Sequence, residues 1–344
     1  MRITMRIGDL ECEIPVIQGG MGVGVSLSGL AGAVASAGGV GIISTAQIGY
    51  RDPDYRKNPT ACNLAAIGEE IKKARQIAPT GVIGVNIMVV TKDYERYVKA
   101  AVEAGADLII SGAGLPMELP GLTQGSSCKL VPIVSSARAL KVILRYWQGH
   151  YNRKPDAVVV EGPMAGGHLG FSMEELERFI PEIYDQCIQE IIALASKQEI
   201  PVIVAGGVYT GDDLDHYLAM GASGVQVATR FVTTEECDAH PNYKKAYLDA
   251  RKEDIVIVKS PVGMPGRAIR NAFLDRVGNG ERVVSTCKGC ITTCNPATTP
   301  YCITDALISA VEGRCDEGLL FCGSNAYRAT KIERVADIME EFRR

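Results

Sequence analysis

The chain has 344 residues, of which 47% are hydrophobic and 22% are charged, and its formal net charge at pH 7 is −4. This composition is typical of a globular protein with a sizeable core, and the length allows one large domain or two. Because there is no basic excess to neutralise phosphates, nucleic acid is not expected as a partner. No apolar run reaches the roughly 20 residues that cross a bilayer, and the first residues do not resemble a signal peptide. We therefore expect a cytoplasmic protein with no membrane partner.

Short apolar runs alternate with helical patterns from the amino terminus to beyond the middle of the chain. The runs are rich in β-branched residues and lack polar alternation, which favours strands buried on both faces, as in parallel sheets. Eight such runs, each followed by a helix or a helical loop, predict an α/β fold of the (β/α)8 TIM barrel type. The predicted strands are residues 14–18, 40–44, 82–88, 107–111, 129–134, 156–161, 201–205 and 223–228, and the predicted helices include 26–37, 93–103, 138–146, 173–194 and 212–220.

Three segments are longer than the usual connections of such a barrel. Residues 45–63 and 112–127 follow the second and fourth predicted strands, so both should lie over the catalytic face, which βα loops build. Residues 254–344 contain a cluster of cysteines and a predicted terminal helix at 331–342. We therefore divide the chain into a barrel of residues 1–253 and a C-terminal extension of residues 254–344 that packs on it.

Two neighbouring strand ends carry small residues. The seventh predicted strand, PVIVAGGV, places Gly206 and Gly207 at its carboxyl end, and the eighth, GVQVATRF, places Ala228 and Thr229 there. The loops after strands seven and eight form the common phosphate site of these barrels. Glycine lets backbone N–H groups approach a phosphate without a Cβ in the way. Two tight turns are the alternative interpretation, but the pairing of the motifs favours phosphate binding.

The segment EGPMAGGHLG follows the sixth predicted strand and contains the catalytic candidate. Glu161 ends the strand, Gly166 and Gly167 permit a tight backbone path, and His168 follows on the loop. An imidazole that titrates near neutrality can take a proton from an acidic carbon or steady a developing anion. The alternative is a histidine that only hydrogen-bonds within a turn. The other three histidines lie in helix-like or polar surface contexts, so we predict that His168 is catalytic.

The first and third predicted strands end in groups suited to a flat heterocycle. The first leads into Gln18, Gly19, Gly20 and Met21, whose backbone groups would stand at the rim of the barrel. The third carries Asn86, whose amide can both donate and accept hydrogen bonds. Each of these signals is weak by itself. The complete set of predicted cofactor-binding residues is Gln18, Gly19, Gly20, Met21, Asn86, Glu161, Gly166, Gly167, Gly206, Gly207, Ala228 and Thr229.

With these motifs in this order, the chain resembles the nitronate monooxygenase (2-nitropropane dioxygenase) family, which also includes FMN-dependent enoyl-acyl-carrier-protein reductases. The matching segments are PVIQGGMG at 15–22, GVNIMV at 84–89, SGAGLP at 111–116, EGPMAGGHLG at 161–170, PVIVAGGV at 201–208, GVQVATRF at 224–231 and GRAIRNAFL at 266–274. The resemblance implies a catalytic or substrate-side role for His168. It also implies FMN binding through Gln18, Met21, Asn86, Gly206, Gly207 and Thr229. Ala228 stands where the family commonly has glycine, and alanine fits if only its backbone N–H is used.

Six of the eleven cysteines lie between residues 287 and 322. The sequence CKGCITTCNPATTPYC has the spacing C-x2-C-x3-C-x7-C, so four thiolates within sixteen residues can wrap one compact inorganic centre. This spacing resembles the [4Fe–4S] segment of the dienoyl-CoA-reductase group of flavin barrels. It favours an iron–sulfur cluster over zinc, whose sites more often use two separated C-x2-C pairs. Unligated thiols are the remaining alternative, and Cys315 or Cys322 could replace one ligand. The predicted ligands are Cys287, Cys290, Cys294 and Cys302.

Three functions fit these residues. We place first a nitronate monooxygenase, in which His168 deprotonates or orients an alkyl nitronate and oxygen is the final electron acceptor. The second is an NAD(P)H-dependent enoyl-thioester reductase that uses FMN and the [4Fe–4S] cluster, with His168 stabilising the thioester enolate or supplying a proton. The third is a flavin-free barrel that binds a phosphate ligand. The expected partner is a small-molecule or acyl-thioester substrate, and the sequence leaves open whether the chain forms a homodimer.

Overall fold

Eight parallel strands close into a barrel in the computed structural model, which describes residues 3–284 and 286–344. The described residues form thirteen strands, eight of which belong to the barrel. They are β1 (Met5–Ile7), β2 (Leu10–Cys12), β3 (Val16–Gln18), β4 (Val40–Ser44), β5 (Val82–Met88), β6 (Leu108–Gly112), β7 (Lys129–Val134), β8 (Val158–Glu161), β9 (Gly167–His168), β10 (Val202–Ala205), β11 (Gly224–Val227), β12 (Ile255–Lys259) and β13 (Pro265–Ile269). The barrel order is β3-β4-β5-β6-β7-β8-β10-β11, and β11 pairs with β3. All eight predicted strands belong to this barrel, which confirms the (β/α)8 fold.

Helices surround the barrel and occupy part of the C-terminal extension. They are α1 (Ser28–Ser36), α2 (Pro59–Ile77), α3 (Tyr94–Glu103), α4 (Leu119–Leu122), α5 (Ala137–Tyr151), α6 (Met173–Glu177), α7 (Pro181–Ser196), α8 (Gly211–Ala219), α9 (Thr229–Val232), α10 (Pro241–Asp249), α11 (Ala272–Gly278), α12 (Ile303–Val311) and α13 (Val335–Glu341). Within the described residues, no helix combines the length and apolar character that a membrane span requires.

Two predicted segments differ from the structure because of proline. The single helix predicted over 173–194 is wrong, because α6 ends at Glu177 and α7 begins at Pro181. Proline is tolerated in the first turn of a helix but disfavours helical backbone in the residue before it, so the chain breaks there. The predicted loop 45–63 likewise ends early, because Pro59 opens α2 and the Asn58 side chain accepts a hydrogen bond from the Ala61 N–H.

The interior of the barrel is filled by branched apolar side chains, which explains why its strands read as continuous apolar runs. These side chains include Ile17, Ile42, Ile110, Val159 and Ile203, none more than 1% exposed. The β1–β2 hairpin adds Met5 and Ile7 to the same cluster. Because this hairpin covers the amino-terminal end of the barrel, the carboxyl-terminal end is the one available for a site, as in other barrels of this class.

A three-stranded sheet joins the extension to the barrel. Its order is β12-β13-β9, in which β12 and β13 come from the extension and β9 comes from the loop after barrel strand β8. The antiparallel pairing places Gly266 opposite His168 and Arg267 opposite Gly167. At the far end of the extension, Phe342 and Met339 are buried in the main core beside the barrel helices. The extension therefore packs on the barrel, as the sequence predicted.

Candidate active site

A cavity of about 350 Å³ lies at the carboxyl ends of the barrel strands. This volume is within the range of small-molecule and cofactor sites. The predicted site residues that line the cavity are Gly19, Gly20, Met21, Asn86, Glu161, Gly166, Gly167, His168, Gly206, Gly207, Ala228 and Thr229. Gln18 is the predicted residue that does not. It is fully buried beneath the wall, where its Oε1 accepts a hydrogen bond from the Ile42 N–H at 3.0 Å.

His168 is held by backbone pairing with the extension. It forms the second residue of β9, opposite Gly266, and the next N–H, that of Leu169, donates to the Pro265 carbonyl at 2.8 Å. The imidazole meets the Phe321 ring edge-on, with 4.9 Å between ring centroids. A two-residue strand has little stability by itself, so residues of the extension determine where the catalytic candidate lies.

A serine of the extension fixes one nitrogen of the imidazole. The Ser260 hydroxyl lies 2.7 Å from His168 Nε2, and Ser260 is only 8% exposed. Within the described chain the other ring nitrogen, Nδ1, has no hydrogen-bond partner. Burial lowers the pKa of His168 to about 4. The ring is therefore neutral at pH 7, with one nitrogen committed to Ser260 and one available to a ligand in the cavity.

Glu161 presents an unpaired carboxyl group to the cavity. It ends β8 and lies opposite Ala205, the last residue of β10. No described side chain or backbone group hydrogen-bonds its carboxylate, and burial raises the pKa of Glu161 to about 7. Buried polar groups are almost always hydrogen-bonded, so the Glu161 carboxyl gives this wall capacity for a polar ligand.

The ends of β10 and β11 present backbone donors to the cavity. Gly206 and Gly207 have φ values of +96° and +85°, a backbone conformation that glycine adopts without steric cost. Within the described residues, the N–H groups of Gly206, Gly207 and Val208 have no acceptor, as expected for an anion site. Ala228 has a φ of −122°, so its backbone does not require the glycine that is common in the family.

The wall that carries Asn86, away from the ends of β10 and β11, suits a flat ring. Asn86 lines the cavity, and its side-chain amide has no partner in the described chain. A Cβ added at Gly20 would lie 2.4 Å from the Asn86 Cβ, so glycine leaves the space that this amide occupies. The free amide, the free backbone donors at the phosphate end and the unpaired carboxyl group together fit a flavin mononucleotide. The individual roles of these residues as FMN ligands remain predictions.

The four predicted cluster cysteines lie near one another on a loop at the mouth of the barrel. The Lys92 N–H donates to the Cys290 carbonyl at 3.1 Å and the Thr292 N–H donates to the Val90 carbonyl at 3.0 Å, which docks the loop just after β5. Burial raises the pKa of Cys290, and the neighbouring charges of Cys294 and Cys287 raise it further. Among residues 3–284 and 286–344, however, no three Cys, His, Asp or Glu side chains are already arranged as metal ligands.

Several cavity residues come from the extension and escaped prediction. Met264, Leu307, Phe321 and Cys322 line the cavity together with the barrel residues, and Ser260 contacts His168 from the same side. The only sequence signal in this region was the segment at 266–274, which resembles the family beyond the barrel. Nothing in the local pattern distinguished Ser260 from an ordinary loop serine.

The fold and the cavity thus define a flavin-binding barrel oxidoreductase with a histidine in its wall. A family model described as nitronate monooxygenase matches residues 4–343. This match covers nearly the whole chain, so the protein belongs to the nitronate monooxygenase family and is an FMN-dependent oxidoreductase.

The individual relatives are identical to this chain at only about a quarter of the aligned positions. The (3aS,4S,5R,7aS)-5-hydroxy-7a-methyl-1-oxo-octahydro-1H-indene-4-carboxyl-CoA dehydrogenase of Mycobacterium tuberculosis is 26% identical over 283 residues, covering 82% of this chain and 70% of the relative. A probable nitronate monooxygenase of Staphylococcus saprophyticus is 25% identical over 301 residues, covering 80% of this chain and 81% of the relative. The solved structure of FabK from Thermotoga maritima is 27% identical, with a TM-score of 0.75, and the match covers 96% of this chain and 92% of FabK.

Replacing Ser260 by alanine (Ser260→Ala) should lower kcat about five- to tenfold, because a hydrogen bond worth about 1 kcal/mol no longer orients His168. The flavin absorbance of the purified protein should not change. Ser260→Thr retains a hydroxyl and serves as the matched control, with most of the activity preserved. Equal kcat values for the alanine variant and the wild type would show that the Ser260 contact does not orient the imidazole.

The free energy of unfolding of the apoprotein should depend on pH through Glu161. The pKa of this group is about 7 in the folded chain and is raised from 4.5, so its contribution is fully present below pH 4.5 and is lost as the pH rises through 7. Glu161→Gln cannot ionise. Urea titrations between about pH 5 and about pH 8 should therefore show the variant gaining stability relative to the wild type. The exposed control Glu174→Gln should show no such trend, and a flat difference for Glu161→Gln would refute the burial of the charge.

Proposed function

We propose that this enzyme oxidises alkyl nitronates with oxygen as the electron acceptor. The observation that carries the proposal is the neutral His168 in the cavity wall, with Nε2 bonded to Ser260 and Nδ1 without a partner in the described chain. Membership of the nitronate monooxygenase family and the similarity to the probable nitronate monooxygenase of Staphylococcus saprophyticus support it.

The residues of the chain supply orientation and a hydrogen-bond donor. When bound, FMN supplies the redox chemistry of the reaction. The Ser260 hydroxyl accepts a long hydrogen bond from the Val262 N–H at 3.4 Å, so its own proton is free to donate to His168 Nε2. The ring proton then resides on Nδ1, which can donate to a nitronate oxygen and hold the substrate carbon in place. Because the imidazole is neutral, it binds the substrate without giving up a proton to it.

A second activity, reduction of an enoyl thioester with a nicotinamide as donor, is favoured by the character of the cavity walls. Leu115, Ile133, Met264 and Leu307 make much of the lining apolar. Among the described lining residues there is no lysine or arginine, so a small anion would meet only uncharged donors such as His168, the Asn86 amide and backbone N–H groups. A neutral acyl group would be well accommodated. The relative named as a carboxyl-CoA dehydrogenase supports this candidate.

One experiment separates the two activities. Anaerobic addition of ethyl nitronate to the purified protein should bleach the flavin absorbance, and air should restore it. His168→Phe, which keeps a planar ring but removes the Nδ1 donor, should slow the bleaching by about tenfold to a hundredfold, because a hydrogen bond to a charged substrate is worth about 1.5–3 kcal/mol. Bleaching by NADPH or NADH, followed by recovery on addition of an enoyl-CoA, would instead establish the thioester reductase. A protein that responds to neither substrate would contradict both proposals.

We further propose that Cys287, Cys290, Cys294 and Cys302 hold a [4Fe–4S] cluster. Their spacing supports this assignment, as does the proximity of the Cys290 thiol to those of Cys287, Cys294 and Cys302. Binding of the cluster would bring the sulfur atoms closer together, because no three of them are arranged as metal ligands among the described residues. Such movement is compatible with the exposure of Cys287, because ligand sets are often completed only when the metal binds. Zinc is the less favoured alternative.

The cluster can be tested by composition and spectroscopy. Anaerobically purified protein should contain about four iron and four sulfide per chain, with a broad visible absorbance beneath the flavin bands. Cys290→Ala should lose the iron and retain the FMN. Cys128→Ala, which alters a buried cysteine far along the chain from the loop, is the matched control and should keep both. Stoichiometric zinc without sulfide, or a metal content that Cys290→Ala leaves unchanged, would refute the cluster.

We also propose a cytoplasmic location and the division of the chain at residues 253 and 254. All eleven cysteines are free, which is the state expected in a reducing compartment. The extension contributes its own buried cluster, which includes Phe273, Tyr301 and Leu319 and supports a separate unit.

A further inference from the structure

Three consecutive residues of the extension bind three different barrel loops at the phosphate end of the cavity. The Gly323 N–H donates to Thr229 Oγ1 at 2.9 Å, beyond β11. The Ser324 N–H donates to the Met164 carbonyl at 3.1 Å, beyond β8. The Asn325 side-chain amide donates to the Gly207 carbonyl at 2.6 Å, beyond β10. The segment Gly323–Asn325 therefore ties together the loops that follow barrel strands six, seven and eight.

The bond from Asn325 determines the direction of a backbone donor. The carbonyl of Gly207 and the N–H of Val208 belong to one planar trans peptide, so they point in opposite directions. By holding the carbonyl, Asn325 directs the Val208 N–H to the other side. Val208 lines the cavity, and its N–H has no acceptor in the described chain. Glycine at 207 leaves this peptide free to rotate, so an external contact is needed to fix it.

The hydrogen bond from the Gly323 N–H orients a side-chain donor, the hydroxyl of Thr229, in a similar way. Because Thr229 Oγ1 accepts the Gly323 N–H, its own O–H remains available as a donor. A Cβ added at Gly323 would lie 2.6 Å from Thr229 Oγ1, so only glycine permits this approach. Two donors that face the phosphate end, one from each phosphate loop, thus depend on the extension.

An independent observation indicates a missing polar partner here. The Ser324 hydroxyl, between the two anchors, is one of two buried side-chain polar groups that lack a hydrogen bond in the described chain. The segment itself is well held, because the Cys322 N–H donates to the Arg267 carbonyl at 3.0 Å and so extends the β13 pairing. Gly323, next to this hydroxyl, lines the cavity, so an unsatisfied buried hydroxyl lies directly beside the site.

We propose that Gly323–Asn325 is a clamp for the phosphate group of FMN, in which Asn325 is a positioning residue for the Val208 donor. The proposal rests on the binding of FMN at this cavity. It does not depend on which substrate is oxidised. Because the clamp acts on the phosphate end alone, its loss should weaken FMN binding while leaving the contribution of the isoalloxazine ring intact.

The test compares FMN with riboflavin, which has the same ring and no phosphate. Both are titrated into the full-length apoprotein and followed by quenching of flavin fluorescence. For Asn325→Ala, the Kd of FMN should rise about tenfold, corresponding to about 1.4 kcal/mol. The Kd of riboflavin should stay within about twofold of the wild-type value, because riboflavin has no phosphate for the clamp to hold.

Two further variants keep the result interpretable. Asn325→Asp has the same shape but turns an acceptor toward the Gly207 carbonyl and adds a negative charge near the phosphate, so its loss of FMN affinity should exceed that of the alanine variant. It also serves if Asn325→Ala does not fold. Asn279→Ala, an exposed asparagine outside the site, is the control and should change neither Kd.

Equal weakening of FMN and riboflavin by the Asn325 variants would show that the residue only supports the fold, and it would overturn the proposal. So would unchanged affinity for both flavins. If the wild-type apoprotein binds riboflavin as tightly as FMN, there is no phosphate site for a clamp to serve, although a flavin enzyme remains. If it binds neither flavin, the FMN assignment itself is wrong and the clamp is overturned with it.

Discussion

The antiparallel pairing of β9 with β13 is the contact on which the site depends. β9 is two residues long and lies in the loop after β8, outside the barrel, and it pairs with β13 of the extension. Its partner β13 carries Arg267, whose guanidinium donates to the Pro163 carbonyl at 2.7 Å and so holds the start of the same loop. This guanidinium is largely buried, which lowers its pKa, and its Nη1 donates to the carbonyls of both Pro163 and Ala165. The His168 loop is therefore secured along its length by one strand of the extension.

The consequence is an active site shared between two parts of the chain. The barrel supplies Glu161, the loops after β10 and β11 and the amide of Asn86, whereas the extension supplies Ser260 and the apolar wall around Phe321. Barrels of this class vary their chemistry by changing the loops at the carboxyl ends of the strands. In this protein a long extension performs part of that role, and the loops after β8 and β10 are rich in glycine. Gly166 illustrates the fit, because a Cβ there would lie 2.6 Å from the Cys322 backbone.

The parts that sequence analysis could predict are those with a local physical cause. Apolar strands and glycine-rich strand ends follow from burial on both faces and from the approach of backbone to ligand, and the barrel places them together without further information. Ser260 could not be found in this way, because it reaches His168 only through the β12–β13 turn, 92 residues further along the chain. Gln18 shows the opposite case. It belongs to a recognisable motif, but its side chain turns beneath the wall to satisfy the buried Ile42 N–H.

Burial gives Glu161 and His168, which both line the cavity, complementary states. A histidine that loses water is kept neutral, and a carboxyl group that loses water is kept partly protonated near neutrality. Neither is neutralised by a charged partner among the described residues, so each retains hydrogen-bonding capacity for a ligand. Solvent reaching this cavity would return both pKa values toward their ordinary levels, so Glu161 would be ionised at pH 7 and His168 would become charged at mildly acidic pH. The apolar wall from the extension therefore does more than accommodate substrate, because by limiting water it keeps Glu161 partly protonated near neutrality and keeps His168 neutral into the acidic range.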